Sequence, residues 1–178
     1  MLKKVLITFL LFFEIPTLHA ISENQIKEVY LERFSMFITW PQKINTFKVC
    51  VYNDKEFAQS LQNNYQSKQF NKRPIEVVPL TLGVSQSKTD GCHMLYIRNI
   101  KLKRKKAFID GINKKNMLII SDEYDDIHDG SMISFYLDQN KFRFVINQDN
   151  LNSAQLKASY KLLKFATVIN SKGGKHAK

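Results

Sequence analysis

The chain has 178 residues, 44% of them apolar and 24% charged, with 6 glycines and 4 prolines. That is enough for one domain with a core, and it excludes a collagen-like, low-complexity or disordered chain. The 27 basic and 16 acidic residues give a formal charge of +11, which first suggests a nucleic-acid partner, while two cysteines exclude a multi-disulfide miniprotein and a four-cysteine zinc site.

The chain opens on a secretory pattern. Lys3 and Lys4 precede an apolar run from Val5 to Phe13, broken only by Thr8; Pro16 then stops any helix and Ala20 supplies a small residue before the cut. The run is far shorter than the roughly 20 apolar residues that span a bilayer. Residues 1–20 are therefore read as a signal peptide and the chain as exported. Losing Lys3, Lys4 and Glu14 lowers the formal charge from +11 to +10. An exported chain meets anionic headgroups and acidic protein faces rather than nucleic acid.

Residues 23–38 read as a helix. Ile26, Val29, Tyr30, Phe34, Phe37 and Ile38 give it one broad apolar face, and Ser22 with Gln25 has the spacing of a capping box. Pro41 ends it and pushes Trp40 out of the helical region. Strands are expected at 47–52, 75–80, 92–98 and 117–121. A helix capped by Asp54 runs to 64, and a basic helix covers 102–113. Residues 131–137 and 142–147 form a hairpin around the linker DQNK. A last helix is expected over 150–169, with Leu151, Leu156, Tyr160 and Leu163 inward and a cap at Asp149, Asn152 or Ser153. The order predicts a single-domain α/β sandwich over 21–170. Its sheet is mixed and mostly parallel, with helices on both faces and a C-terminal hairpin plus helix. Residues 171–178 form a flexible basic tail.

In an oxidising compartment, Cys50 and Cys92 read as a structural disulfide, with two buried thiols or a metal pair as the alternatives. No GxSxG, GxGxxG, P-loop or HExxH pattern is present. After export, His93 and His128 are the histidines left outside the tail, and neither adjoins a recognised nucleophile. Asp122, Glu123, Asp125, Asp126, His128 and Asp129 form an oxygen-rich cluster, but no EF-hand register fits it. It reads as a capping loop, so no metal and no cofactor is assigned. Lys103, Arg104, Lys105 and Lys106 concentrate positive charge and are expected to touch an anionic partner or membrane surface.

Three stretches, taken together, resemble the YfiR-like family of small exported bacterial regulators. KEVYLERFSMFITWP at 27–41 is similar to its opening helix and Trp-Pro close. KVCV at 48–51 and GCHMLYI at 91–97 each place a cysteine in a strand. LIISD at 118–122, GSMISF at 130–135, FRFVIN at 142–147 and the helix at 156–165 follow in the family's order. Ser131 stands where a second glycine is usual, Tyr160 replaces a small residue, and a second cysteine pair is lacking. The resemblance implies a regulator rather than an enzyme. Its partner would be the periplasmic domain of an inner-membrane diguanylate cyclase or sensor kinase, held inactive so that cyclic di-GMP falls. It also implies a homodimer. Phe37, Trp40, Pro41, Gly130, Arg143 and Phe144 are expected to determine the fold. The alternative reading is an envelope receptor for a small ligand, with Arg98 or Arg143 holding an anion.

Overall fold

The computed structural model describes residues 21–81, 83, 85–98, 102–170 and 174–176. The signal peptide expected at 1–20 lies outside the described residues. In chain order the elements are α1 (Glu23–Phe37), β1 (Ile38–Thr39), β2 (Phe47–Tyr52), α2 (Lys55–Tyr65), β3 (Gln69–Phe70) and β4 (Arg73–Leu80). Then come β5 (Met94–Ile97), α3 (Leu102–Gly111), β6 (Leu118–Ser121), β7 (Ile133–Asp138) and β8 (Lys141–Asn147). The chain closes with α4 (Gln148–Ser153), β9 (Lys157–Ala158), α5 (Tyr160–Leu163), β10 (Thr167–Asn170) and β11 (Gly174–His176).

Among the described residues, nine strands form one sheet in the order β11-β10-β8-β7-β6-β5-β2-β4-β3. From β4 through β7 every neighbouring pair is parallel. The hairpins β3–β4, β7–β8 and β10–β11 supply the antiparallel pairs. The apolar runs of β2, β5 and β6 suit this place, because central parallel strands are covered on both faces. Register fixes which side chain meets which helix. Val51 pairs with Tyr96, Tyr96 with Ile120, Ile120 with Ile133 and Ile133 with Ile146, so these share one face. On that face Phe57 of α2 packs 5.1 Å from Tyr96, and Phe34 of α1 meets Phe135 and Phe144. Tyr52 points to the opposite face, where Phe108 of α3 stacks on it at 4.2 Å. Helices thus cover both faces of a mixed, mostly parallel sheet.

The structure joins Cys50 of β2 to Cys92, just before β5, with their Cα atoms 5.9 Å apart. The two strands are already neighbours, so the bond locks a contact the sheet also makes.

Three segments differ from expectation. β3 reaches β4 through Asn71 and Lys72, whose φ values of 50° and 65° mark a two-residue hairpin turn. The same turn joins β7 to β8 through Gln139 and Asn140. The single helix expected over 150–169 is four shorter pieces. Asn147, not a later residue, caps α4 by accepting from the Asn150 amide. Gln155 then adopts φ 63°, which no continuous helix allows. β9 pairs antiparallel with β1, Ser159 caps α5, and the β-branched run in β10 lies parallel to β8. Tyr160, expected inward, is 65% exposed. The tail contributes a strand at β11, where a flexible segment was expected; its other residues lie outside the described ones.

Gly130 precedes β7 with φ +104°, and a Cβ there would sit 2.8 Å from Cγ2 of Ile109. Both facts require glycine. Gly130→Ala is expected to cost about 1–3 kcal/mol, read as a lower thermal midpoint with the same circular dichroism spectrum.

Candidate interaction groove

α1 follows its sequence expectation only in part: Phe34 and Ile38 are buried and Tyr30 and Phe37 pack against the core, but Val29 faces outward. It buries Lys27, Glu28, Leu31, Phe34 and Ser35, and it leaves Val29 52% and Met36 48% exposed. Burying Lys27 and Glu28 is tolerable only with partners, and both have them. Lys27 Nζ lies 2.9 Å from Asp122 and also pairs with Glu23. That hydrogen bond, opposed by partial burial, holds Glu23 below the usual carboxylate range. Glu28 accepts from Ser60 at 2.6 Å and from Asn64 at 2.8 Å, and Tyr65 donates to its carbonyl at 2.7 Å.

Asp122 follows β6 directly and gathers further donors. Arg98 Nε lies 2.9 Å away, and the Tyr96 hydroxyl donates to it. Arg98 also reaches Asp54 at 2.9 Å and Asn24 at 3.0 Å. Burial, reinforced by the Asp122 charge, pushes the Tyr96 hydroxyl far above its ordinary range, so it stays a donor. These groups sit at the carboxyl ends of β2, β5 and β6. The strand order reverses there, and open α/β sheets usually bind ligands at such a point. In this chain the crevice is filled by its own compensated charges and by the start of α1. Arg98, considered as an anion holder, is committed to two carboxylates.

Besides the residues it buries, α1 presents apolar residues on a second side. They form one wall of a groove of about 890 Å³. Ile26, Val29 and Phe37 come from α1, Phe144 of β8 contributes from the core, and Leu162 and Phe165 come from α5 and the turn after it. Ile21 at one end is 73% exposed and Phe165 is 77% exposed. Tyr30 anchors this wall, with its ring 5.2 Å from Phe144 and 5.7 Å from Phe135. Arg33, Lys161 and Lys164 also line the groove. None of the three has an ion-pair partner among the described residues; Lys164 lies over the Tyr160 ring at 4.9 Å.

The residues expected to matter fall in different places. Phe37 is half-buried at the groove, and Phe144 is buried beside it. Trp40 is buried, donates from Nε1 to the His93 carbonyl at 3.2 Å and meets Phe47 edge-on. Pro41 is exposed, so its part is to end the helix locally and not to fill the core. Arg143 is not a core determinant. Strand alternation turns it away from the face that takes Phe142 and Phe144, and it pairs with exposed Asp138 at 3.2 Å.

Lys105 is not a surface contact, because it is 1% exposed and bonded to fully buried Asp126 at 2.7 Å. Arg104 is exposed, and so is Lys106, which pairs with Asp110. Lys103 lies outside the residues whose side chains are described. In the acidic loop, Asp122 and Asp126 are committed to cations, and no group of three potential metal ligands occurs among the described residues. The groove was missed because α1 is apolar on two sides. Ile26, Val29 and Met36 beside Leu31 and Phe34 was the available sign.

His93 accepts the Lys48 amide hydrogen at Nδ1, 3.0 Å away. Burial first, then the charges of Lys48 and Arg73, hold it below the ordinary imidazole range. Its neutral form therefore stabilises the fold fully above about pH 6.5. That contribution is lost as pH falls through the lowered folded value. The urea midpoint should fall on acidification below about pH 6.5, and His93→Gln should flatten that dependence. An unchanged slope in the variant would assign the acid sensitivity elsewhere.

A family described as YfiR/HmsC-like matches residues 24–167. Among solved structures, the chain is similar to a conserved domain protein from Vibrio cholerae O1 biovar eltor str. N16961. The TM-score is 0.56 at 16% identity, covering 79% of this chain and 59% of that one. The likeness is therefore one of fold, and the chain spans less than two thirds of that protein's length. No curated protein matches the chain.

Proposed function

The chain belongs to the YfiR/HmsC-like family, and from that premise we propose that it regulates a membrane signalling protein by docking on it through the α1–α5 groove. The family is one of periplasmic regulators, and the Cys50–Cys92 bond suits an oxidising compartment. The partner in this reading is the periplasmic sensor domain of an inner-membrane diguanylate cyclase or sensor kinase. Binding lowers its output and with it cyclic di-GMP. The observation that carries the reading is the outward apolar face of α1. A helix that buries Lys27 and Glu28 and leaves Val29 and Met36 bare has a surface suited to a partner.

Repression needs differential binding. A regulator that fits only the inactive sensor shifts the population toward it. Moving a sensor from 99% active to 99% inactive takes roughly a 10⁴-fold preference. Val29→Glu tests the surface. Val29 is half exposed, so the variant should fold normally while losing at least tenfold in affinity for the sensor domain of a neighbouring cyclase, measured by calorimetry. Wild-type affinity in the variant would move the docking site off this groove.

A further inference from the structure

We propose that the same groove takes a small ligand, a single-chain anionic amphiphile of the long-chain fatty-acid type, and that this ligand competes with the protein partner. The competition rests on the docking reading above; the binding site does not. Three observations point to this chemistry. The volume of about 890 Å³ falls within the range of small-molecule sites. The interior is apolar, and its polar members are already engaged: Glu28 is held by Ser60 and Asn64, and Gln25 by Ser22. Finally, Arg33 on one wall and Lys161 and Lys164 on the other carry positive charge that no carboxylate among the described residues neutralises. The neighbouring cations Lys27, Lys68 and Arg98 are all paired.

A compact anion such as phosphate would have no use for the apolar length. A neutral hydrocarbon would have no use for the cations. One alkyl chain ending in one carboxylate uses both. It would lie along Val29, Phe144 and Leu162 with its head among the three cations. It would then cover the apolar wall that the partner needs, and each ligand would weaken the other by the same factor.

The test is calorimetric titration of the chain from Ile21 onward with decanoate and tetradecanoate, below micelle concentrations, and with decanol as the neutral control. Each buried methylene multiplies affinity roughly three- to fourfold. One-to-one binding is expected, at least tenfold tighter for tetradecanoate than for decanoate. The triple variant Arg33→Gln, Lys161→Gln, Lys164→Gln should lose at least tenfold for the carboxylates, with decanol binding and the thermal midpoint unchanged. No saturable binding, no dependence on chain length, or wild-type affinity in the triple variant would overturn the site. Tetradecanoate that binds without displacing the sensor domain would overturn the competition alone. Failure of the sensor domain to bind in the absence of fatty acid would count against the docking reading instead.

Discussion

Replacing Lys105 with methionine should destabilise the fold by about 3–5 kcal/mol, because it leaves Asp126 as an uncompensated charge in the core. The pair is shut away from water, at 1% and 0% side-chain exposure, with Nζ 2.7 Å from Oδ2. The other oxygen of Asp126, Oδ1, has no hydrogen-bond partner among the described residues, so the carboxylate depends on Lys105. In a domain of this size the loss corresponds to a thermal midpoint lower by roughly 10 °C. Adding Asp126→Leu to Lys105→Met should restore most of the stability, since apolar groups of similar volume often replace a buried ion pair at no net cost. Urea unfolding of the two variants measures both effects. A single variant within about 1 kcal/mol of wild type would mean that water reaches Asp126.

Removing the disulfide should have a comparable effect. Cys50 and Cys92 are 42 residues apart, and closing a loop of that length restricts the unfolded chain by about 4 kcal/mol in the chain-entropy model. Neither sulfur is exposed, so the paired substitution Cys50→Ala, Cys92→Ala leaves small apolar residues in small apolar sites. The native sheet should persist, because β2 and β5 stay hydrogen-bonded neighbours. The stability difference between wild type and variant should vanish when both are unfolded under reducing conditions. A difference that survives reduction would place the effect in native packing rather than in the unfolded chain.

The sequence was legible where local chemistry decides. The capping box at Ser22 and Gln25, the turn at Gln139–Asn140 and the apolar runs of β2, β5 and β6 depend on residues close in sequence. It was opaque where distant partners decide. The burial of Lys27 and Glu28 has no local sign, because their partners, Asp122 and Asn64, lie 95 and 36 residues away. The last helix was misread because Leu151, Leu156 and Leu163 recur at near-helical spacing. A left-handed Gln155 and the pairing of Lys157–Ala158 with β1 leave no mark in that pattern. Lys105 could have been placed correctly. It stands three, four and seven residues before Phe108, Ile109 and Ile112, all buried on the same face of α3 or its end, so helical periodicity outranked the charge of the run. The groove follows from the same balance. Lys27 and Glu28 share the inward side of α1 with Leu31 and Phe34, while Val29 and Met36 face outward.

The central claim is that this outward face carries regulation. The most direct measurement is cellular cyclic di-GMP in a strain lacking the gene, complemented with wild type or with Val29→Glu exported to the same level. The account predicts that wild type lowers cyclic di-GMP and that Val29→Glu leaves it at the deletion value. Equal lowering by both proteins would contradict it.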